Sequence, residues 1–295
     1  MLEFINFYLI PGVVLGSIYA LGAIGVSLIF GILRFAHFAH GDMMTLGAYV
    51  ALPLVVGLGF TVYAALPVAM AGVVLMAILI DRLFYKPLRD RPTIVVLVAS
   101  FGVALMLRAA IQFVWGPHSH VYEKGFRKPI VIDGLRVAER HIWIVLLSIA
   151  LVVALHLFLT RTKTGKAMRA LSDDPDLARI TGINTERIVA WTWVLGGCLA
   201  GAAGVFLGMD TQITTLIGWN MLLPVFAAAI LGGIGKPYGA IAGGLVIGIA
   251  EELSAYPWIG TTPLLDPTYK SAVAFAIMVA MLLWRPSGLF KGRVY

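Results

Sequence analysis

The 295-residue chain is poor in charge and almost free of cysteine. Only 13% of its residues are charged, whereas 60% are hydrophobic. A soluble domain usually has about 25% charged residues, so this chain has too little polar surface to cover a globule in water. Its single cysteine, Cys198, excludes an intrachain disulfide. The composition therefore predicts a membrane protein that is embedded in a lipid bilayer.

The sequence also lacks a nucleotide-binding loop of the form G-x-x-x-x-G-K-[ST]. The nearest approach is GGIGKP, which has the wrong spacing and carries Pro237 where Ser or Thr is required. Its glycines instead predict a tight turn between closely packed helices. The net charge of +7 is not accompanied by a basic stretch interleaved with aromatics, which argues against nucleic acid as a partner. We expect this positive charge in cytoplasmic loops.

Long apolar runs make up most of the sequence. They lie near 7–33, 42–58, 60–84, 93–115, 141–159, 189–209, 220–235, 238–256 and 269–284. A full span needs about 20 residues, and several runs are shorter, so we predict about eight spans, with nine as the alternative. The run at 220–235 is a candidate for a broken or re-entrant helix. The sequence thus predicts an all-α, polytopic transmembrane bundle that forms one domain over 1–295.

The distribution of Lys and Arg predicts the orientation. Basic clusters at 81–91, 161–187 and 284–295 are expected in the cytoplasm. The loop at 116–140 is also basic, but one span separates it from each of the two stronger clusters. It is therefore expected outside, and nine crossings would place the N-terminus outside as well.

A polar stretch, HFAHGD, interrupts the apolar sequence after Arg34. We expect Gly41 to let the backbone turn and Asp42 to cap the next helix. His37 and His40 are three residues apart, a spacing that suits a metal, but Asp42 is the only further ligand nearby and zinc takes about four. A proton relay is a second alternative. We favour a chain break that closes one helix and opens another, with pathway lining as the main competing role.

Other polar residues lie at the ends of apolar runs. Glu251 and Glu252 precede an expected outside loop, and one of them is predicted to face a translocation path. Asp210 and Gln212 are expected at the outer mouth of such a path. Ordinary solvation at the membrane interface is the alternative for all four residues. Arg108 lies inside an apolar run and requires an acidic partner on a neighbouring helix, which the sequence does not identify.

The loop at 160–188 carries the signals that start and stop a short helix. The segment SDDPDLARITGINTERI offers an N-cap, a proline for the first turn, a glycine for the left-handed position after the last turn and a cap for the following helix. These roles fall on Asp173 or Asp174, Pro175, Gly182, and Asn184 or Thr185. Such a capped helix could transmit force to a partner, or it could be an ordinary solvated loop.

Three segments carry a resemblance to a known family. These are GSIYALGAIGVSLIFGILRFAHFAHGDMMTLGAYVAL, RALSDDPDLARITGINTERIVAWTWVLGGCLAGAAGVFLGM and AAAILGGIGKPYGAIAGGLVIGIAEEL. In this order they resemble the permease subunits of branched-chain amino acid ABC transporters, over about residues 12–288. The length resembles that of the shorter of two paralogous permeases. The family typically has Asn-Phe-Ala-His-Gly-Glu where this chain has His37 through Asp42.

The resemblance implies a role without bond-breaking chemistry or a cofactor. The segment 173–186, with Ala178 and Gly182 at its centre, would be a coupling helix that docks on a cytoplasmic ATPase. Implied partners are a second homologous permease, two P-loop ATPase subunits and an extracytoplasmic substrate-binding protein. The implied location is the bacterial inner membrane. The implied substrates are branched-chain amino acids or, as in relatives, other amino acids, urea or short amides.

Two other classes compete with this interpretation. A self-contained, ion-coupled secondary transporter usually buries acidic residues near the bilayer midplane, whereas most acids here are expected in loops or at span ends. An intramembrane enzyme needs a nucleophile beside a base or a metal. Ser148 and His156 share a span, but eight residues separate them along one helix, so we do not expect an enzyme.

Overall fold

The structure is a computed structural model that describes residues 2–123, 129–132, 134–257, 265–266 and 269–290. Parts of the loop at 116–140 and of the tail at 284–295 lie outside the described residues. Each of the nine apolar runs contains a helix, and the described chain is almost entirely helical. The predicted all-α fold is therefore confirmed.

The first half of the chain contains three long apolar helices and a shorter one, which a connector separates from the helix before it. Helix α1 is Ile10–Leu33, extended backward by the turns Ile5–Leu9 and Leu2–Phe4; α2 is His40–Leu52, followed by a π-helical turn, Pro53–Gly57. Helix α3 is Val62–Ile80, extended by the turns Asp81–Tyr85 and Lys86–Leu88; α4 is Thr93–Trp115.

The second half begins with a small hairpin. Strands β1, Ile130–Ile132, and β2, Leu135–Val137, pair antiparallel. Seven helices follow: α5, Glu139–Arg161; α6, Lys163–Asp173; α7, Pro175–Ile180; α8, Thr185–Asp210; α9, Ile217–Gly232; α10, Pro237–Ser254; and α11, Lys270–Trp284.

Five helices of the described chain are long and apolar enough to cross a membrane. They are Leu2–Leu33, Val62–Leu88, Thr93–Trp115, Glu139–Arg161 and Thr185–Asp210. The other four apolar runs form helices of 13, 16, 18 and 15 residues, namely α2, α9, α10 and α11. Since a helix rises about 1.5 Å per residue, α2 covers only about two thirds of a bilayer core about 30 Å thick. The bundle thus combines full-length and partial helices.

Helices α1 and α8 form the centre of the bundle, and glycine allows their neighbours to approach closely. Gly12 and Gly16 on α1 face Gly244 and Gly248 on α10, four residues apart on each helix. A Cβ atom on Gly248 would overlap the backbone of Gly16. Small residues with this spacing are typical of helix packing in membranes, where dispersion and not water drives association.

Large apolar side chains cover the outside of the bundle. Leu75 on α3 is 70% exposed and Phe113 on α4 is 92% exposed. Such surfaces would drive a water-soluble protein to aggregate. Facing lipid, they need no cover, while every backbone polar group of a helix is satisfied within that helix.

The predicted basic clusters meet at one end of the bundle. Arg89 bonds Glu186, which joins the segment 81–91 to the loop at 160–188. The amide of Leu289 donates to the carbonyl of Leu231, which brings the tail to the end of α9. We call this the basic end. At the opposite end, Asn6 donates to the carbonyl of Gly134 in the hairpin.

Between α9 and α10 the chain reverses within four residues. Gly233 and Gly235 adopt φ angles of 103° and 82°, which favour glycine. A Cβ atom on Gly232 would overlap the backbone of Gly239 across this turn. The turn predicted from GGIGKP is therefore present.

Candidate functional site

Helix α7 projects from the basic end as a fully capped turn of helix. Asp174 Oδ1 accepts hydrogen bonds from the amides of Asp176 and Leu177, both at 3.0 Å. Pro175 occupies the first turn, and Gly182 ends the motif with a φ of 82°. Of the two candidates for the cap, the structure selects Asp174, because Asp173 ends the preceding helix α6.

The helix that follows is capped in the same way. Asn184 Oδ1 accepts from the amide of Arg187 at 3.0 Å, so Asn184 and not Thr185 is the N-cap of α8. The amide of Ile183 bonds the carbonyl of Ala178, which closes the end of α7. Helix α7 is thus joined to the central helix α8 through a connection with little freedom to flex.

The outward face of α7 carries two exposed apolar side chains, a feature that we did not predict from the sequence. Leu177 is 58% exposed and Ile180 is 83% exposed, whereas Ala178 is buried against the protein. Asp176 and Arg179 beside them are largely exposed, so this face lies among charges and not in lipid. An apolar pair three residues apart in an otherwise charged loop was the sequence signal that could have identified it. Such a pair is typical of a docking site.

Ion pairs connect the start of α8 to the end of α3. The two Nη atoms of Arg89 bond Glu186 Oε1 and Asp81 Oδ2, each at 2.6 Å. Lys86 Nζ lies 2.9 Å from Glu186 Oε2. A cavity of about 510 Å³ between the loop and the bundle is lined by Lys86, Arg89 and Glu186 together with Arg34 and Arg179. A displacement of α7 that moves the start of α8 would therefore also move the end of α3, through these ion pairs.

Arg89→Gln should weaken this connection without unfolding the protein. The pair with Glu186 is exposed at its carboxylate, but Asp81 is buried, so we expect the free energy of unfolding to fall by about 1–3 kcal/mol. If the connection transmits movement, transport in the assembled protein should fall severalfold while the variant still reaches the membrane. Arg91→Gln removes an exposed arginine from the same segment and should behave as wild type. Equal transport by both variants would remove Arg89 from the transmission path.

The chain break before α2 occurs at Arg34, not at Gly41. Arg34 has a φ of 59° and caps α1 in the left-handed conformation. The connector then enters the bundle, where the amide of Ala39 bonds Ser100 Oγ at 3.3 Å. Irregular backbone at this depth is tolerated because protein surrounds it. The predicted break between two helices is present, but glycine does not make it.

Gly41 has a different role from the one expected. It lies in the first turn of α2, where a Cβ atom would lie 2.5 Å from the carbonyl oxygen of Gly218. The amide of Gly218, at the start of α9, donates to Thr45 Oγ1 at 3.1 Å. Gly41 therefore allows the first turns of two partial helices to touch inside the bundle.

His37 and His40 are completely buried beside the start of α2. His37 Nε2 lies 3.1 Å from the hydroxyl of Tyr85, and its ring packs edge-on against Trp193 with centroids 5.0 Å apart. His40 packs against Gly25 of α1, where a Cβ atom would lie 2.7 Å from the ring carbon Cε1. In the described structure these histidines fill the core and line neither of the two cavities at its ends.

Asp42 does not cap α2, which corrects the sequence prediction. No side-chain bond caps this helix, and the Asp42 carboxylate instead faces α4. Its oxygens accept from Arg108 Nε at 3.0 Å and from Nη2 at 3.1 Å. The acidic partner that Arg108 required is therefore Asp42. Removing one member would leave a buried charge uncompensated, so this pair is a strong constraint on the bundle.

Glu251 is buried against α1. The hydroxyl of Tyr19 donates to Glu251 Oε2 at 2.6 Å, deep between α1 and α10. Glu252 faces the other way and pairs with Lys270 Nζ at 2.7 Å. The two neighbouring carboxylates thus have separate environments: Glu251 faces the core of this chain, and Glu252 faces Lys270.

Asp210 and Gln212 line a cavity of about 470 Å³ at the end opposite to the basic end. His141 Nε2 lies 3.0 Å from Asp210 Oδ1. Tyr122, also in the wall, donates to the carbonyl of Ala48 at 2.9 Å, and burial raises the pKa of its phenol. This location fits the outer mouth that the sequence predicts.

The predicted residues therefore lie in separate places, not in one site. The loop residues are at the basic end, His37 through Asp42 and Glu251 are in the interior, and Asp210 and Gln212 are at the other end. Two cavities at opposite ends of an apolar bundle, with the Asp42–Arg108 ion pair buried between them, fit a polytopic membrane protein of the transport class.

Comparison with known proteins identifies the family. The model described as "Branched-chain amino acid transport system / permease component" matches residues 8–282. The high-affinity branched-chain amino acid transport system permease protein LivH of Escherichia coli K12 is 33% identical over 298 residues, 94% of this chain and 92% of LivH. The chain belongs to the branched-chain amino acid transport permease family.

Two further comparisons refine this assignment. LivM of Escherichia coli K12, a permease protein of a high-affinity branched-chain amino acid transport system, is 24% identical over 93% of this chain but only 68% of LivM, so the resemblance to the shorter paralogue is confirmed. A metal-chelate type ABC transporter, solved in an inward-facing conformation, aligns over 95% of this chain and 88% of its own with a TM-score of 0.52. At 12% identity, this likeness concerns the fold alone.

Proposed function

We propose that this protein is the membrane permease subunit of an ABC importer. It translocates branched-chain or related amino acids across the bacterial inner membrane, and partner subunits hydrolyse the ATP. The observation that carries the proposal is helix α7, a capped turn at the basic end that turns Leu177 and Ile180 outward. The family membership and the similarity to LivH support the class of substrate. Urea and short amides are the alternative substrates.

The proposed partners follow from the two ends of the bundle. At the basic end, α7 docks on one of two P-loop ATPase subunits, because this sequence has no phosphate-binding loop of its own. At the other end, the cavity beside Asp210 and Gln212 receives substrate from an extracytoplasmic binding protein. A second homologous permease completes the membrane part.

Movement of the ATPase would reach the middle of the membrane through α8. This helix runs without interruption from Thr185 to Asp210. It packs against α2 so closely that a Cβ atom on Gly47 would lie 2.7 Å from the backbone of Gly201. Helix α2 carries Asp42, so a shift of α8 repositions the buried ion pair with Arg108. Because packed interfaces have discrete arrangements, such a shift can exchange two access states.

The experiment that tests this proposal is purification of the tagged protein from its native membrane in mild detergent. We expect two P-loop ATPases and a second permease to co-purify, and the complex to take up leucine into proteoliposomes only with ATP and a binding protein. If the protein purifies alone and transports leucine with an ion gradient and no ATP, it is a secondary transporter and the proposal is wrong.

Gly182→Trp should uncouple the complex while leaving the protein in the membrane. The side chain has room, since no atom lies within 4 Å of a Cβ atom placed there. The left-handed φ of 82° is, however, strained for most residues with a side chain, and the indole would obstruct the docking face. Uptake of leucine per ATP hydrolysed is the measurement. Gly182→Asn is the matched control, because Asn tolerates this conformation, and it should transport nearly normally.

A further inference from the structure

Arg108 is a charged side chain at the surface of an apolar helix. Together with Phe101, Leu105 and Gln112 it forms one stripe of α4, with spacings of four, three and four residues. Its side chain is 17% exposed, whereas that of Asp42 is fully buried. A guanidinium that faced lipid at this depth would be costly, so the stripe requires a polar neighbour.

The guanidinium of Arg108 is only partly used by the protein. Arginine has five N–H donors, of which Asp42 engages those on Nε and Nη2. Within the ranges that the structure describes, Nη1 donates to no group. Asp42 therefore anchors the side chain by one edge and leaves the other edge free to donate to an anion at the protein surface.

One aromatic ring stacks on the face of this guanidinium, and three more continue from that ring. The guanidinium carbon of Arg108 lies 4.5 Å from the centroid of Trp219. Phe101 packs 5.9 Å from Trp219, and Phe38 bridges Phe101 and Phe226 at 6.4 and 5.6 Å. Phe101 is 42% exposed, so the cluster opens at the surface of the bundle. A donor for a carboxylate thus lies beside an apolar wall that could hold an alkyl side chain.

We propose that Phe38, Phe101, Arg108, Trp219 and Phe226, the Arg108 patch, bind the carboxylate and apolar side chain of an α-amino acid during translocation. The inference rests on the proposed function, and it assigns a substrate-contacting role to a residue outside HFAHGD. Charge balance favours it: Asp42 and Arg108 sum to zero, and so does a zwitterionic amino acid. The bound state therefore places no net charge in the bilayer.

The decisive variant is the pair Arg108→Gln and Asp42→Asn, assayed in the complete complex reconstituted in proteoliposomes. Asn keeps the shape of Asp, Gln is shorter than Arg but stays polar and uncharged, and changing both together leaves no uncompensated charge. We expect normal complex yield and normal ATP hydrolysis stimulated by the loaded binding protein, but leucine uptake per ATP lowered about tenfold or more. Leucine uptake equal to wild type would overturn the inference.

The matched control removes an ion pair elsewhere. Glu252→Gln with Lys270→Gln neutralises the pair between α10 and α11, and its uptake per ATP should match wild type. A loss equal to that of the Arg108 variant would show that ion pairs matter only for structure, which contradicts the inference. If the wild-type complex itself shows no ATP-driven uptake, the proposed function fails and the inference falls with it.

A second measurement leaves Arg108 and Asp42 unchanged. It tests the inference even if the double variant fails to assemble. Phe101→Cys is made in a Cys198→Ala background, and alkylation by a small maleimide is timed in the complex. Leucine should slow the reaction at position 101. It should not slow the reaction in Ala170→Cys, at an exposed position of α6 at the basic end and away from the lipid-facing surface. Equal rates with and without leucine at both positions would overturn the inference.

Discussion

Leu177→Glu combined with Ile180→Glu should abolish co-purification of the ATPase subunits. Both side chains are exposed, at 58% and 83%, so glutamate costs the isolated protein little, within about 0.5 kcal/mol. Glutamate also has a high helix propensity, which preserves α7. In the proposed complex the same positions are buried in a cleft, where two desolvated carboxylates without partners would each cost several kcal/mol.

The expected size of the effect separates docking from a mere change of surface charge. Loss of an apolar anchor at the centre of an interface weakens binding by about 2 kcal/mol or more, roughly 30-fold. Ala170→Glu, on an exposed position of the neighbouring helix α6, adds the same kind of charge without touching the α7 face and should leave co-purification intact. The measurement is the amount of ATPase that co-purifies per permease in each variant, determined by quantitative mass spectrometry. Retention of the ATPases by the double variant would contradict the assignment of α7.

The sequence predicts local features of this protein better than contacts between distant segments. The caps of α7 and α8 are predictable to within one residue, because a cap depends on a side chain and amides two or three positions away. The turn after α9 follows from glycines that are close together in the chain. Hydrophobic runs likewise indicate the position of every apolar helix, since the bilayer leaves the backbone few alternatives.

The interior of the site is harder to predict because it depends on tertiary contacts. Asp42 has the sequence context of an N-cap, yet its carboxylate pairs with Arg108, 66 residues away. Burial inside the bundle favours neutralising a cation over capping a helix whose start is already surrounded by protein. Gly41 has the sequence context of a turn, but its missing side chain makes room for Gly218. Neither Arg108 nor Gly218 can be predicted as a contact without knowing that α2 packs against α4 and α9.

The number of membrane crossings is likewise predicted only in part, because it depends on tertiary packing as well as on the length of each apolar run. Apolar length predicts about eight spans, while five described helices have the length and composition to cross alone. The other four apolar helices are shorter, at 13 to 18 residues, and α2 begins inside the bundle beside the start of α9. Sequence measures the length of an apolar run but not the depth at which it begins.

Gly204→Ala should disrupt the protein severely, although it adds only one methyl group. Gly204 on α8 lies against the carbonyl of Met44 on α2, and an added Cβ atom would overlap that carbonyl. Both groups belong to helix backbones, so neither can move alone, and the two helices must separate along their contact. Overpacking of this kind typically costs about 1–3 kcal/mol, and more where the backbone is rigid. We expect low yield from the membrane and a clearly lower midpoint of thermal unfolding.

The control for this prediction uses the same substitution on a helix with space. Gly102→Ala on α4 places a methyl group where no atom lies within 4 Å, and alanine favours the helix by about 1 kcal/mol relative to glycine. The control should therefore be as stable as wild type or slightly more stable. The comparison also tests the proposed path of movement, because α8 and α2 meet at Gly204. If Gly204→Ala folds with normal stability, the two helices are less closely packed than the structure indicates, and α8 could not move Asp42 directly.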